Sequence, residues 1–212
     1  MNFRAAMYEG LLMTIRQLIV GVFMVLCSAT CMAQVPDKKT ELTVADREAW
    51  QKILRWPDDM EQQWRRSRTT NDRDQGGLAF YSLGLGKYLV AIEVQESAYQ
   101  PRYLFMHYTE SSKSGPQARL LKFKTYERDD DDEGTVSSKV STEVEGKITF
   151  DDARKQLVFL TLGRGIGDCG SLVRYNITPT RAIPVDARAH GCYDDYSLGI
   201  TDPKKWRRIK PL

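Results

Sequence analysis

A mainly β fold is predicted by this 212-residue chain: an antiparallel sandwich or barrel-like meander of about eight strands with a short N-terminal helical segment. Three observations lead there. Apolar residues recur at period two in short runs from Leu78 onward, turn-rich pieces separate the runs, and helical spacing is confined to residues 43–68. A composition of 42% hydrophobic and 28% charged residues is that of a folded chain, and the length suits one domain.

Residues 1–33 read as a secretory signal peptide. Arg16 precedes the apolar run QLIVGVFMVLCSATCMA, and Cys31 and Ala33 supply the small residues that signal peptidase requires before Gln34; Met13 is an alternative start. The apolar stretch Leu18–Leu26 is shorter than the about 20 residues needed to cross a bilayer, so no stable membrane insertion is expected after cleavage. Neither Cys27 nor Cys31 sits in a lipid-attachment context. The expected location is the periplasm or the extracellular space. Cleavage leaves Cys169 and Cys192 in an oxidising compartment, where an even pair predicts a disulfide. Loss of Arg4, Glu9 and Arg16 lowers the formal net charge of +3 by one, too little for charge to argue for nucleic acid.

Residues 34–42 form a polar linker, and 43–212 the domain, which opens with a helical arm over 43–68. Thr43 and Asp46 are the two halves of a capping box, with Ala49, Trp50, Ile53 and Leu54 at helical spacing behind them. That helix is expected to stop at Trp56, because the residue before a proline is pushed out of the helical region. Pro57 then suits the first position of a second helix, where Asp58, Asp59 and Glu61 complement the dipole. Met60 and Trp64 share a face, and Arg65, Arg66 and Arg68 near the far end read as dipole complement and solvated surface rather than a ligand patch.

In KYLVAIEVQ the residues Tyr88, Val90, Ile92 and Val94 face one way, with Glu93 and Gln95 on the other face. Similar runs follow as GLAFYSL, PRYLFMHYT, ARLLKFKTY, EVEGKITF, KQLVFLTL, GSLVRYNI and TRAIPVDAR, punctuated by SLGLGK, SSKSGPQ and DDARK. QLVFLTL is apolar on both faces and belongs inside its sheet.

Several stretches carry possible chemistry. In RDDDDEGT, Asp129, Asp131 and Glu133 fall on alternate positions of a calcium loop. Position twelve is Val140 where a bidentate carboxylate is required, so the loop reads as a solvated hairpin, with a weak cation site as the alternative. Cys169, Cys192 and His190 match no compact zinc module. GIGDCG, with Gly165, Gly167 and Gly170, has the letters of a dinucleotide loop. The strand-like SLVRYNI follows it where a helix N-terminus is required, so no cofactor is expected. GDCGS also resembles the nucleophile turn of chymotrypsin-like cysteine proteases; His107, an aspartate among 129–132 and Cys169 would supply the chain order of that triad. The scaffold reading is preferred. In it the glycines permit a tight crossing between strands, and Cys169 is bridged to Cys192. Asp168 is not needed by that scaffold and is the candidate functional residue. Tyr99, Tyr193 and Trp206 are candidates for an exposed aromatic patch.

GRGIGDCGSLVRY, followed by the cysteine of AHGCYDD and the closing DPKKWRRI, resembles an exported bacterial family known as domain of unknown function 1176. DREAWQKILRWPDDMEQQW and SAYQPRYLFMHY are similar to it as well, so the likeness covers nearly the whole mature chain. Relatives often carry a cysteine after WPDD; Met60 stands there in this chain, which implies one bridge rather than two. The resemblance implies an envelope protein without assigned chemistry or cofactor. The expectation is a non-catalytic protein that binds a protein or envelope component, an inhibitor or protective factor being one form. The alternative is a secreted hydrolase using Cys169 and His107.

Overall fold

Helix α1 (Val44–Leu54) starts at the capping box: the Asp46 N–H donates to the Thr43 hydroxyl, and the Thr43 N–H donates to the Asp46 carboxylate at 2.9 Å. It ends two residues before Trp56, because Arg55 turns into the left-handed conformation and returns its N–H to the Gln51 carbonyl at 2.7 Å. Helix α2 (Asp58–Ser67) follows, with Pro57 at the N-cap rather than inside the first turn. The computed structural model describes residues 35, 42–68, 74–95, 100–110, 115–128, 136–165, 167–192 and 201–209. The signal segment 1–33, nearly all of the 34–42 linker, the acidic residues Asp129, Asp131 and Glu133, and Tyr99 and Tyr193 lie outside them.

Strands β1 (Leu78–Gly84), β2 (Lys87–Gln95), β3 (Arg102–Thr109) and β4 (Gln117–Leu120) form an antiparallel meander. Strands β5 (Phe123–Arg128) and β6 (Val136–Ser141) form a separate hairpin, after which β7 (Glu143–Glu145) pairs with the start of β3. A second sheet is made of β8 (Lys147–Asp151), β9 (Gln156–Leu162), β10 (Gly170–Ile177), β11 (Ala182–His190) and β12 (Arg207–Ile209), in the spatial order β12-β11-β10-β9-β8. The fold is mainly β and antiparallel, as expected, but it has twelve strands among the described residues rather than about eight, and neither sheet closes into a barrel.

The extra strands have physical reasons. ARLLKFKTY is broken after Leu120: the Leu121 N–H still donates to Phe105 in the first sheet, and then the chain leaves to pair with β6. EVEGKITF is broken at Gly146, where the chain passes from the first sheet to the second. β6 is mostly exposed and β12 is three residues long, so neither shows an apolar alternation. QLVFLTL, the strand β9, is paired on both sides, as its two apolar faces predict.

The two sheets share one core, in which Phe105 of β3 meets Phe159 of β9 edge-on at 5.3 Å and Tyr81 of β1 stacks on Phe150 of β8 at 4.8 Å. The helices cover the opposite face of the first sheet, with Trp50 4.6 Å from Phe80 and 5.6 Å from Tyr108. Hence Leu89, Val90, Ala91 and Ile92 of β2 are buried on both faces, where the alternation alone predicts one polar face. Arg47 of α1 joins these layers: it lies over the Trp64 ring at 3.7 Å and donates to the carbonyls of Gly76 (2.9 Å) and Glu93 (3.0 Å). At the far end of α2, Arg65 reaches Glu48 and Glu61, and Arg68 lies over Trp64 at 4.4 Å.

Candidate functional site

The glycine-rich turn 163–169 joins β9 to β10, and its shape follows from hydrogen bonds made within a few residues. The Gly163 N–H donates to the Cys169 carbonyl at 3.0 Å, and the Gly167 N–H to the Arg164 carbonyl at 3.2 Å. Gly170, with φ +137, leads into β10 so close to β9 that a side-chain carbon there would lie 2.0 Å from the Thr161 carbonyl oxygen. At Gly163 the obstacle is the bridge itself, since a Cβ would lie 2.7 Å from Cys192 Sγ. Gly163 and Gly170 answer to disulfide and backbone proximity, and Gly167 to a positive φ of 75, with no phosphate needed to explain them.

Cys169 is fully buried and bonded to Cys192, their Cα atoms 4.8 Å apart. With both sulfurs in the bridge, the structure holds no thiolate at Cys169 to act as a nucleophile and no thiol pair to join His190 in ligating zinc. Asp168 is paired inside the turn: Arg164 Nε donates to Oδ1 at 2.8 Å, and a second guanidinium nitrogen donates to Oδ2. This two-point bond, foremost among several influences, holds the Asp168 carboxyl below its ordinary pKa. The residue that the glycine argument left over is thus the clamp that fixes the turn.

The bridge borders a cleft of about 440 Å³ between the β5–β6 hairpin, β7 and the ends of β9, β10 and β11. Its rim carries both signs of charge: Arg102, which contacts Glu143 at 3.5 Å and Glu145 at 3.9 Å, and Lys139. His190, opposite Gly170 in the ladder and stacked near Trp206 at 6.4 Å, lines the cysteine side. Tyr126 lines the cleft with 3% exposure, and its buried hydroxyl has no hydrogen-bond partner among the described residues; burial raises its pKa, which keeps it a neutral O–H. Gln100 secures the neighbouring wall by bonding both the N–H and the C=O of Leu162 at 2.7 Å.

His107 is elsewhere. It sits on β3 opposite Arg119 and lines a different groove from the one bordered by Cys192. Burial foremost, then Lys87 and Arg119, lower its pKa. Trp206 is 2% exposed and so does not belong to an exposed aromatic patch.

Sequence reasoning reached this region through Gly170, His190 and Cys192 but missed Arg102, Tyr126, Lys139, Glu143 and Glu145. These are single positions on separate strands, and only strand pairing collects them. No curated protein and no solved structure matches the chain. Residues 23–208, nearly the whole sequence, match the family model described as Protein of unknown function (DUF1176), and the chain belongs to that family.

Proposed function

We propose that this chain is an exported, non-catalytic binding protein whose partner, a protein or other envelope component, docks in the cleft beside the Cys169–Cys192 bridge. The observation that carries the reading is the Tyr126 hydroxyl, buried in the lining of a preformed cleft without a hydrogen-bond partner among the described residues. Such a group costs a fold about 1–3 kcal/mol, and a partner that shifts the lining enough to bond this hydroxyl recovers that cost. The bridge and the Arg164–Asp168 clamp support the same view, because they stiffen one wall and so lower the ordering cost of binding. Export is supported by the apolar segment after Arg16 and by a disulfide that an oxidising compartment sustains. Inhibition or protection of an envelope enzyme is one form this binding would take.

The test is capture from envelope extracts with the mature protein, run beside Tyr126→Phe and Arg102→Glu. Wild type should retain a partner that both variants lose, while Tyr126→Phe keeps or gains stability. A mature protein that retains nothing above background under several conditions would overturn the proposal.

A further inference from the structure

Three adjacent strands present one basic stripe. Leu89 of β2 lies opposite His107 of β3, which lies opposite Arg119 of β4, and Lys87 is two residues from Leu89 along the same strand. Period two therefore places Lys87, His107 and Arg119 on one face of the sheet, with His107 and Arg119 as a direct cross-strand pair. Burial foremost, and after it both cations, lower the basicity of His107.

These three residues line a groove of about 910 Å³ that runs round the β4 edge of the sheet: Lys87, His107 and Arg119 meet it from the face shared with Phe105, and Lys52 and Arg55, at the C-terminal end of α1, from the face that the helices cover. The described lining contains four permanent cations and no aspartate or glutamate. Several arginines elsewhere are ion-paired: Arg47 with Glu61, Arg65 with Glu48, Arg154 with Asp151, Arg164 with Asp168 and Arg208 with Asp186. None of Lys52, Arg55, Lys87 and Arg119 forms an ion pair among the described residues. The helix dipole accounts for Lys52 and Arg55, which lie at the last turn of α1 and just beyond it, but it offers no reason for Lys87 and Arg119 on the strands.

We propose that this groove is a second binding site, separate from the cleft at Cys192, for an anion carrying at least two phosphoryl groups, either free or as a lipid headgroup. Arg119 and Lys87 hold one charged end on the inter-sheet side of the β4 edge, and Lys52 and Arg55 hold the other on the helix side. An arginine fork suits a phosphoryl group, and the volume lies within the range of small-ligand sites.

Calorimetric titration of the mature protein with inorganic phosphate and with tripolyphosphate tests this. Tripolyphosphate should bind at least tenfold more tightly than phosphate, and more weakly as salt is added. Lys87→Gln with Arg119→Gln should lose at least tenfold in affinity, whereas Lys204→Gln with Lys205→Gln, the same charge change on residues elsewhere, should not. Lys52→Gln with Arg55→Asn, both exposed and the asparagine tolerant of a left-handed backbone, gives an independent loss if the strand variant fails to fold. Co-sedimentation with phosphatidylcholine vesicles with and without cardiolipin separates the sources: retention only with cardiolipin assigns a headgroup, and tripolyphosphate binding without retention assigns a free anion. Absence of both, or binding that neither groove variant weakens, overturns the proposal.

Discussion

Arg47 Nε donates to Glu61 Oε2 at 2.7 Å, with Arg47 fully buried and the Glu61 side chain 7% exposed. The same carboxylate oxygen accepts from Trp56 Nε1 at 3.2 Å, so the pair closes the angle between α1 and α2 against the first sheet. Burial lowers the Arg47 pKa, and Glu61 is the chief group opposing that effect. A buried pair is tolerated only when its remaining donors are also satisfied, which the Gly76 and Glu93 carbonyls accomplish.

Arg47→Ala should therefore destabilise the domain by about 3–5 kcal/mol, the usual effect of leaving one member of a buried pair without its partner. Arg47→Lys should fail too, because one ammonium cannot span a carboxylate and two carbonyls in different directions. Urea unfolding checks both; a midpoint within error of wild type for Arg47→Ala would contradict this role.

Much of this architecture was legible in the sequence because it depends on local spacing. Thr43 and Asp46 fix the start of α1, and the runs from Leu78 onward alternate as strands must. Arg47 was not legible, since a helical arginine is ordinarily solvated. One signal existed: Arg47, Trp50 and Leu54 are spaced three and four apart, and all three are buried. The cleft was illegible for a different reason. Tyr126 and Arg102 share no local motif and meet only through pairings between distant strands.

The Cys169–Cys192 bridge closes a separation of 23 residues. Chain entropy assigns such a closure about 3 kcal/mol, so reduction should lower the urea midpoint accordingly. The mature chain, denatured without reductant, should show no titratable thiol. Two free thiols would remove the bridge from the mature protein and return Cys169 to consideration as a nucleophile.

Backbone proximity ranks the glycines of the turn. Gly170→Ala must move β10 away from the Thr161 carbonyl, whereas a Cβ at Gly167 meets only Leu162 Cδ2, at 4.0 Å. Both positions have positive φ and both should lose stability, with the larger drop in melting temperature at Gly170. Equal drops would mean that conformational strain alone decides, and the close approach would lose its importance.

Asp168→Asn removes an anion whose pKa is depressed chiefly by Arg164. A carboxyl with a lower pKa in the folded state stabilises at pH above its unfolded value, near 3.9, and loses that contribution as pH falls through the folded value. The Asp168→Asn variant should be less stable than wild type at neutral pH, and the gap should narrow below pH 4. Urea titrations at neutral and acidic pH read this directly; a gap independent of pH would assign Asp168 another role.

His107 predicts a second acid sensitivity at higher pH. Burial, Lys87 and Arg119 depress its pKa below the ordinary imidazole value of 6.5, while the unfolded chain titrates near that value. Between the two, the unfolded state binds more protons, so stability is complete above about pH 6.5 and declines as pH falls toward the folded pKa. The charged groups facing the imidazole are Lys87 and Arg119 on the neighbouring strands, and both oppose its protonation; Lys52 and Arg55 line the same groove from the helix side. His107→Gln should abolish the decline just below pH 6.5 and leave the Asp168 transition below pH 4 in place. Lys87→Gln with Arg119→Gln should shrink the decline without abolishing it, because burial is the leading cause and survives that change. If the decline persists unchanged in His107→Gln, another group carries it, and the neutral state of this histidine is not what the groove's cations enforce.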